Sequence, residues 1–342
     1  MNRTAHLPPK KVFLLNIPNG MYVCSPGMTH FAKSINTSSM KYVVSGATGH
    51  TGSIVAHQLL DAGLEVRVLG RSEDKLKPFA DKGAEIHTVD LTDAAQTAQA
   101  LEGAGAVYVV IPPNFVAPDF RAYQDQVTDH FARALEQHAI PYAVPLSSCG
   151  AHMGQGAGVV DGLAELERRL NAIEGLNVLH LRPTFFMENL MGMLPMAAQM
   201  QGIGYALPGD RKMPMISTDD IGAVAAERLR KLDFSGKHVH HLLGERDLTM
   251  EEAVEALNQA LDGVTRLRYM PVEYEQAEQG MLQMGASQSI VKLYTEFMQG
   301  MNAGRINEVA ERSPETTTPT SIEDFARRKF APALKGMLAQ QA

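Results

Sequence analysis

Residues 40–71, MKYVVSGATGHTGSIVAHQLLDAGLEVRVLGR, admit few folds. Tyr42, Val43 and Val44 make a short apolar β-rich run. Gly46, Gly49 and Gly52 follow in a G-x-x-G-x-x-G pattern, and Ile54, Val55, Leu59 and Leu60 then recur at helical spacing. Gly63 closes the helix and Glu65 to Leu69 reads as a second strand, so the stretch is a βαβ unit of about 30 residues. The first backbone N–H groups of a helix have no partner within it, and the helix dipole adds partial positive charge there. Glycines let an anion approach both, which is how such a turn holds a pyrophosphate. The pattern thus points to a bound dinucleotide.

The end of the second strand bears on which dinucleotide. An acidic residue there accepts hydrogen bonds from a ribose 2′-hydroxyl, whereas an arginine accommodates a 2′-phosphate. This chain has Arg71 after Gly70, with Lys75 four residues on. Two cations converging on one phosphate favour NADP(H) over NAD(H). A solvated basic turn balanced by Glu73 and Asp74 is the competing reading.

The 342 residues carry a formal net charge of −7 and no basic block, which argues against direct nucleic-acid binding. No apolar run reaches the ~18 residues of a membrane span. Two cysteines, Cys24 and Cys149, make no disulfide framework, and a cytoplasmic location is the expectation. Residues 1–39 read as a disordered extension or a misassigned start, because Met40 directly precedes the first strand and Pro18 and Gly20 break the one early apolar run.

Beyond Arg71 the alternation continues. Helices over 73–82 and 93–101 alternate with strands over 85–89 and 106–111. A longer helix over 119–138 leads to a strand over 142–146 that contains the awkward Pro145. A glycine-rich loop, a helix over 161–172 and a sixth strand over 177–182 follow. Strands alternating with helices give an α/β fold with a doubly wound, mostly parallel Rossmann sheet, whose ligands lie beyond the carboxyl ends of the strands. Asp90, Leu91, Pro112, Pro113 and Asn114 stand at such ends, Asp90 being either a ligand contact or a helix cap. Residues 40–184 read as the dinucleotide-binding domain. Residues 185–342 read as a smaller, interleaved C-terminal α+β substrate region, with some segments returning to the sheet. It opens with a Met-rich apolar run, 185–201, more often core than ligand site. Ser217 starts a capped helix, Lys237 to Leu243 a strand, and the terminal helix over 321–337 offers Phe325 and Phe330 for docking.

With these residues in view, the chain resembles the NmrA-like branch of the atypical short-chain dehydrogenase/reductases over about residues 40–333. GATGHTG (46–52), LGR (69–71), LSS (146–148), LRPTFFMEN (181–189), STDDIG (217–222) and TSIEDFARRKF (320–330) follow the family pattern in order. Its members include NADPH-dependent reductases of quinones, isoflavone-type reductases and redox-sensing regulators. The resemblance implies that Gly46, Ala47, Thr48, Gly49, His50, Thr51 and Gly52 hold the pyrophosphate. Arg71 and Lys75 then take the 2′-phosphate, Asp90 and Leu91 the adenine, and Ile111, Pro112, Pro113 and Asn114 the nicotinamide ribose. Pro183, Thr184, Phe185 and Phe186 line the nicotinamide pocket, and Ser147 is counted with the cofactor-binding residues.

One feature of typical short-chain enzymes is absent: a tyrosine whose pKa is lowered by a lysine four residues later. No lysine lies between Lys82 and Lys212 and no tyrosine between Tyr142 and Tyr205, and Leu163 stands where relatives often carry the lysine. Alcohol oxidation by that route is therefore not expected. Hydride transfer to an electrophilic acceptor such as a quinone needs positioning more than acid catalysis, and Phe115, Phe185, Phe186 and the methionines suit a flat acceptor. Tyr123 and His152 are weak candidates for a proton donor; the catalytic residue is otherwise unassigned. No metal is expected: His240 and His241 face opposite sides of a strand with no completing ligands. The leading expectation is an NADPH-dependent reductase of a small flat acceptor. The alternative is a non-catalytic NADP(H) redox sensor that regulates a protein partner, and a homodimer is also compatible.

Overall fold

The computed structural model describes residues 40–306 and 310–340, so the expected extension, 1–39, lies outside the described residues. The chain runs β1 (Lys41–Val44), α1 (His50–Asp61), β2 (Glu65–Gly70), α2 (Glu73–Ala80), β3 (Glu85–Thr88), α3 (Ala94–Leu101), β4 (Ala104–Val109), α4 (Phe120–Gln137), β5 (Tyr142–Pro145), α5 (Asp161–Asn171) and β6 (Asn177–Pro183). It continues through β7 (Phe185–Phe186), α6 (Leu194–Met200), β8 (Gly202–Tyr205), β9 (Met213–Ile216), α7 (Thr218–Lys231), β10 (Lys237–Leu242), β11 (Asp247–Leu248), α8 (Met250–Leu261) and β12 (Arg268–Pro271). Helices α9 (Tyr274–Gln283), α10 (Gln288–Asn302), α11 (Ile322–Phe325) and α12 (Ala331–Ala339) complete it, with a π-turn, Ala326–Phe330, between the last two.

Seven strands form one sheet in the order β10-β6-β5-β4-β1-β2-β3, parallel throughout. Such strands are buried on both faces, which is why β1 and β4 read as continuous apolar runs. One face is covered by α1, α2 and α7 through Val55, Leu59, Leu76, Phe79, Ile221 and Leu229. The other is covered by α3, α4 and α5 through Leu101, Val127, Phe131, Leu166 and Leu170. Pro145 is the last residue of β5. The strand stops there, and pairing passes to the Leu146 N–H, which donates to Val109 O at 2.8 Å.

A third core forms around α8, α11 and α12, mostly from Phe185 onward and joined by Cys149, Ala151, Ala157 and Val160 from the segment after β5. Two small sheets belong to it, β11-β9-β7 and β12-β8; only β12 lies where the sequence reads as extended, over 266–270, and the other four short strands carry no such signal. The Met-rich run contributes buried Met187 and partly buried Met191 and Met193, so it packs as core. Phe325 and Phe330 are fully buried, and β10 returns to the edge of the main sheet beside β6. Among the described residues no helix is long and apolar enough to cross a membrane.

Two packing details carry measurable consequences. A Cβ built on Gly222 of α7 would lie 2.6 Å from Ile54 Cβ and 2.9 Å from Thr51 O of α1, so these helices approach at backbone distance. Gly222→Val therefore lowers stability by roughly 1–3 kcal/mol through overpacking. This is read as a lower denaturant midpoint at unchanged slope; an unchanged midpoint would refute the close approach. His180 of β6 is 1% exposed, donates from Nε2 to Asn171 Oδ1 at 2.8 Å, and burial pushes its imidazole down to about 4. The unfolded chain protonates this ring below about pH 6.5 and the folded chain only near pH 4, so stability falls as pH drops through that window. In His180→Leu the slope between those limits flattens, though the variant is less stable at neutral pH.

Candidate functional site

Strand order reverses direction between β1 and β4, and the carboxyl ends of β1, β2 and β4 surround a cleft of about 690 Å³ there. Open parallel sheets bind ligands at this point, and the volume lies within the range of small-molecule sites. One wall is the glycine turn. Gly46 adopts φ +63°, and a Cβ on Gly52 would fall 2.3 Å from Gly46 O. Only backbone fits between the turn and the first turn of α1. Gly49 is the N-cap and donates its N–H to Gly46 O at 2.9 Å. The next N–H groups, of His50 and Thr51, meet no acceptor among the described residues, and no acidic side chain stands in the first turn. A phosphate-sized anion fits this cradle by shape and by charge.

Arg71, at the end of β2, is exposed on the opposite rim, and no carboxylate pairs with it among the described residues. Asp90 lies beside it. Its carboxylate accepts from the Thr92 N–H at 2.9 Å and the Thr92 hydroxyl at 2.7 Å, and these bonds, aided by Arg71, hold it below the usual carboxylate range. The helix cap is Asp93 instead, which accepts from Ala95 and Gln96 N–H. Tyr123 of α4 donates its hydroxyl to Pro112 O at 2.8 Å and so braces the loop after β4; burial raises its pKa, against the pull of Arg71.

The cleft brings together Gly46, Thr48, Gly49, His50, Thr51, Arg71, Asp90, Leu91, Pro112, Pro113, Asn114, Tyr123 and Phe186 from the sequence expectations. Others fall elsewhere. Ala47 and Gly52 are buried behind the turn, and Lys75 is exposed on α2 and is not among the residues lining the cleft. Side chains alternate along extended backbone, so Val110 lines the cleft while Ile111 joins the core on the far face. The same alternation sends Phe186 to the cleft and Phe185 into the C-terminal core, edge-on to Tyr205 at 5.6 Å. Pro183 pairs with Leu242 in the sheet, and Thr184 is buried against Leu242 O. Ser147 is buried and donates to Glu167 Oε1 at 2.5 Å, facing away from the cleft. His152 is exposed in a short turn, Ala151–Met153, and does not line it; Phe115 is exposed beyond it. Cys149 is buried and its thiol is pushed up to about 11, which removes its reactivity.

The sequence reading did not find Val110, Leu146, Asn189 and Thr218 among the lining residues. Asn189 and Thr218 end and begin motifs that were noted only for helix starts or resemblance. Their convergence depends on β7 and β9 pairing, which brings Phe186 beside Ile216.

The family model for the NmrA-like family matches residues 38–326. An NAD(P)H azoreductase of Xenophilus azovorans is 28% identical over 255 residues, covering 75% of this chain and 85% of the relative. Two solved structures share the fold. The NADPH-dependent quinone oxidoreductase QOR2 of Escherichia coli, complexed with NADPH, has a TM-score of 0.70 at 18% identity, covering 85% of this chain and all of that one. The Citrobacter sp. triphenylmethane reductase complexed with NADP(H) has a TM-score of 0.66 at 16% identity, covering 85% and 99%. With a family match running from the first strand into the C-terminal helices, around a glycine cradle at the sheet's switch point, this chain belongs to the NmrA-like family.

Proposed function

We propose that this chain, an NAD(P)H-dependent oxidoreductase of the NmrA-like family, uses NADPH to reduce a small, flat, conjugated acceptor such as a quinone. The observation that carries the reading is one cleft holding an unpaired helix N-terminus and, at its other rim, an unpaired arginine. The N–H groups of the turn and of His50 and Thr51 suit a pyrophosphate, and Arg71 a 2′-phosphate. Residues 40–184 serve mainly as the dinucleotide-binding part. Residues 185–342 complete the acceptor side through Phe186, Asn189 and Thr218.

The bound dinucleotide supplies the hydride. The chain's own work is positioning: the glycine turn and Arg71 anchor one end of the ligand, Tyr123 holds the Pro112 carbonyl and hence the loop under the other end, and Phe186 presents an aromatic surface. No tyrosine–lysine pair serves the site, so the proton that completes reduction comes from water entering the cleft. A quinone, azo bond or extended cation is electrophilic enough for this, and the named relatives reduce acceptors of that kind.

Titration of the protein with NADPH and NADH, followed by quinone and azo acceptors while the reduced nicotinamide is monitored, tests the reading. Arg71→Ala weakens NADPH binding by roughly tenfold, about 1.4 kcal/mol, and leaves NADH nearly unchanged. Equal loss for both would assign Arg71 to something other than the 2′-phosphate. Binding without oxidation of NADPH by any acceptor would make the protein a redox sensor acting on a protein partner, and no binding would refute the site. Tyr123→Phe keeps turnover within about threefold, because its hydroxyl braces Pro112. A loss of roughly 100-fold or more would instead mark it as the general acid.

A further inference from the structure

Glu188 stands between two cleft-lining residues, Phe186 and Asn189, yet its own side chain is 5% exposed. Its carboxylate accepts from the Thr218 N–H at 2.9 Å, the Ser217 hydroxyl at 3.2 Å and Lys329 Nζ at 2.8 Å. It therefore ties the segment carrying Phe186 and Asn189 to the start of α7, where Thr218 lines the same cleft. Lys329 comes from 141 residues away and also bonds Asp219 at 2.8 Å. Nearby, Thr320 donates its N–H and hydroxyl to Asp220 at 2.9 and 2.6 Å. The C-terminal segment thus grips the first turn of α7 at three consecutive steps: Thr218 through Glu188, then Asp219 and Asp220.

Lys329 is delivered by the π-turn Ala326–Phe330, between buried Phe325 and Phe330. Such turns are rare and concentrate at functional sites. A buried carboxylate that loses its cation is costly, so the wall depends on this one ammonium. Burial works against its charge, but the bonds from Asp219 and Glu188 prevail and raise its pKa.

We propose that Lys329 is a positioning residue for the reduction: through Glu188 and Asp219 it fixes the acceptor-side wall of the cleft, Phe186, Asn189 and Thr218, against which the flat acceptor lies. The inference rests on the reductase reading above. It assigns no contact between Lys329 and the substrate. Its effect falls on the acceptor, while the glycine turn and Arg71 remain intact for the dinucleotide.

The test compares the full-length protein with Lys329→Met, Lys329→Arg, Asp219→Asn and, as a control on the same segment, Arg327→Ala, whose ion pair is to Asp324. Measured are kcat and KM for a quinone, Kd for NADPH, and amide hydrogen exchange of the segments 186–190 and 217–222. In Lys329→Met the quinone KM rises about tenfold, kcat changes less than about threefold, NADPH Kd stays within about twofold, and exchange in both segments accelerates. Lys329→Arg restores most of the KM, Asp219→Asn moves it about threefold in the same direction, and Arg327→Ala changes nothing. A lower melting temperature in Lys329→Met with unchanged KM and unchanged exchange in those segments would reduce Lys329 to a structural role. If Lys329→Met does not fold, Asp219→Asn decides by the same readouts. If the wild type turns over no quinone, the reductase reading fails by itself. Exchange in the two segments then still decides whether Lys329 holds the wall.

Discussion

The contact on which the rest of the structure depends is between two pieces of backbone: Gly46 O against the Cα of Gly52, where a single added carbon would sit at 2.3 Å. Because no side chain intervenes, α1 begins directly above the end of β1 and its free N–H groups face the cleft. Gly222 repeats the device one layer out, bringing α7 onto α1 at Ile54 and Thr51 O. The turn and α1, contiguous in sequence, and the distant α7 are thus registered by steric limits that allow little slack. A side chain at Gly52 or Gly222 would force these segments apart.

That registration sets two helix N-termini side by side, and their chemistry diverges. The first turn of α1 has no acidic residue and no side-chain cap. The start of α7 carries Ser217 as cap, Asp219, Asp220 and the buried Glu188, with Lys329 compensating them. One dipole end is already neutralised by the protein; the other is left for a ligand. An anion entering the cleft is directed to α1 and to Arg71 on the far rim, and the wall at α7 stays polar but closed.

Most of the sheet, its parallel strands and the cleft were legible from residues 40–183 because local signals there agree: glycine spacing, apolar runs and period-3.6 patterns, and caps such as Asp93 and Asp119. Strand ends led to the cleft, but not every residue of each expected tetrapeptide lines it. Ile111 and Phe185 pack into cores instead, because alternation along extended backbone sends neighbours to opposite faces, and the sequence does not say which parity faces the cleft. Lys75 stays exposed on α2 and does not line the cleft. The C-terminal half was read less well. Its strands β7, β8, β9 and β11 run two to four residues, too short for a period to show, and they exist only because they pair with distant partners. Glu188 and Lys329 likewise gave no local sign of one another across 141 residues.

What stands where a tyrosine–lysine pair would act is the physical ground for proposing an electrophilic acceptor. Helix α5, where relatives often carry the lysine, has partly buried Leu163 at that position, and one turn later Glu167, buried and bound through both oxygens by Arg182 at 2.8 and 2.5 Å. Burial pushes the Glu167 carboxyl up, but Arg182 and the Ser147 hydroxyl hold it below the usual range. Ser147, at the end of β5, therefore spends its proton on Glu167 and has none to offer the cleft. The space of an acid–base relay is filled by a neutralised pair that braces β5, β6 and α5. A site built this way orients its ligand well and protonates it poorly. It suits reactions in which the acceptor's own electron deficiency lowers the barrier and solvent completes the product.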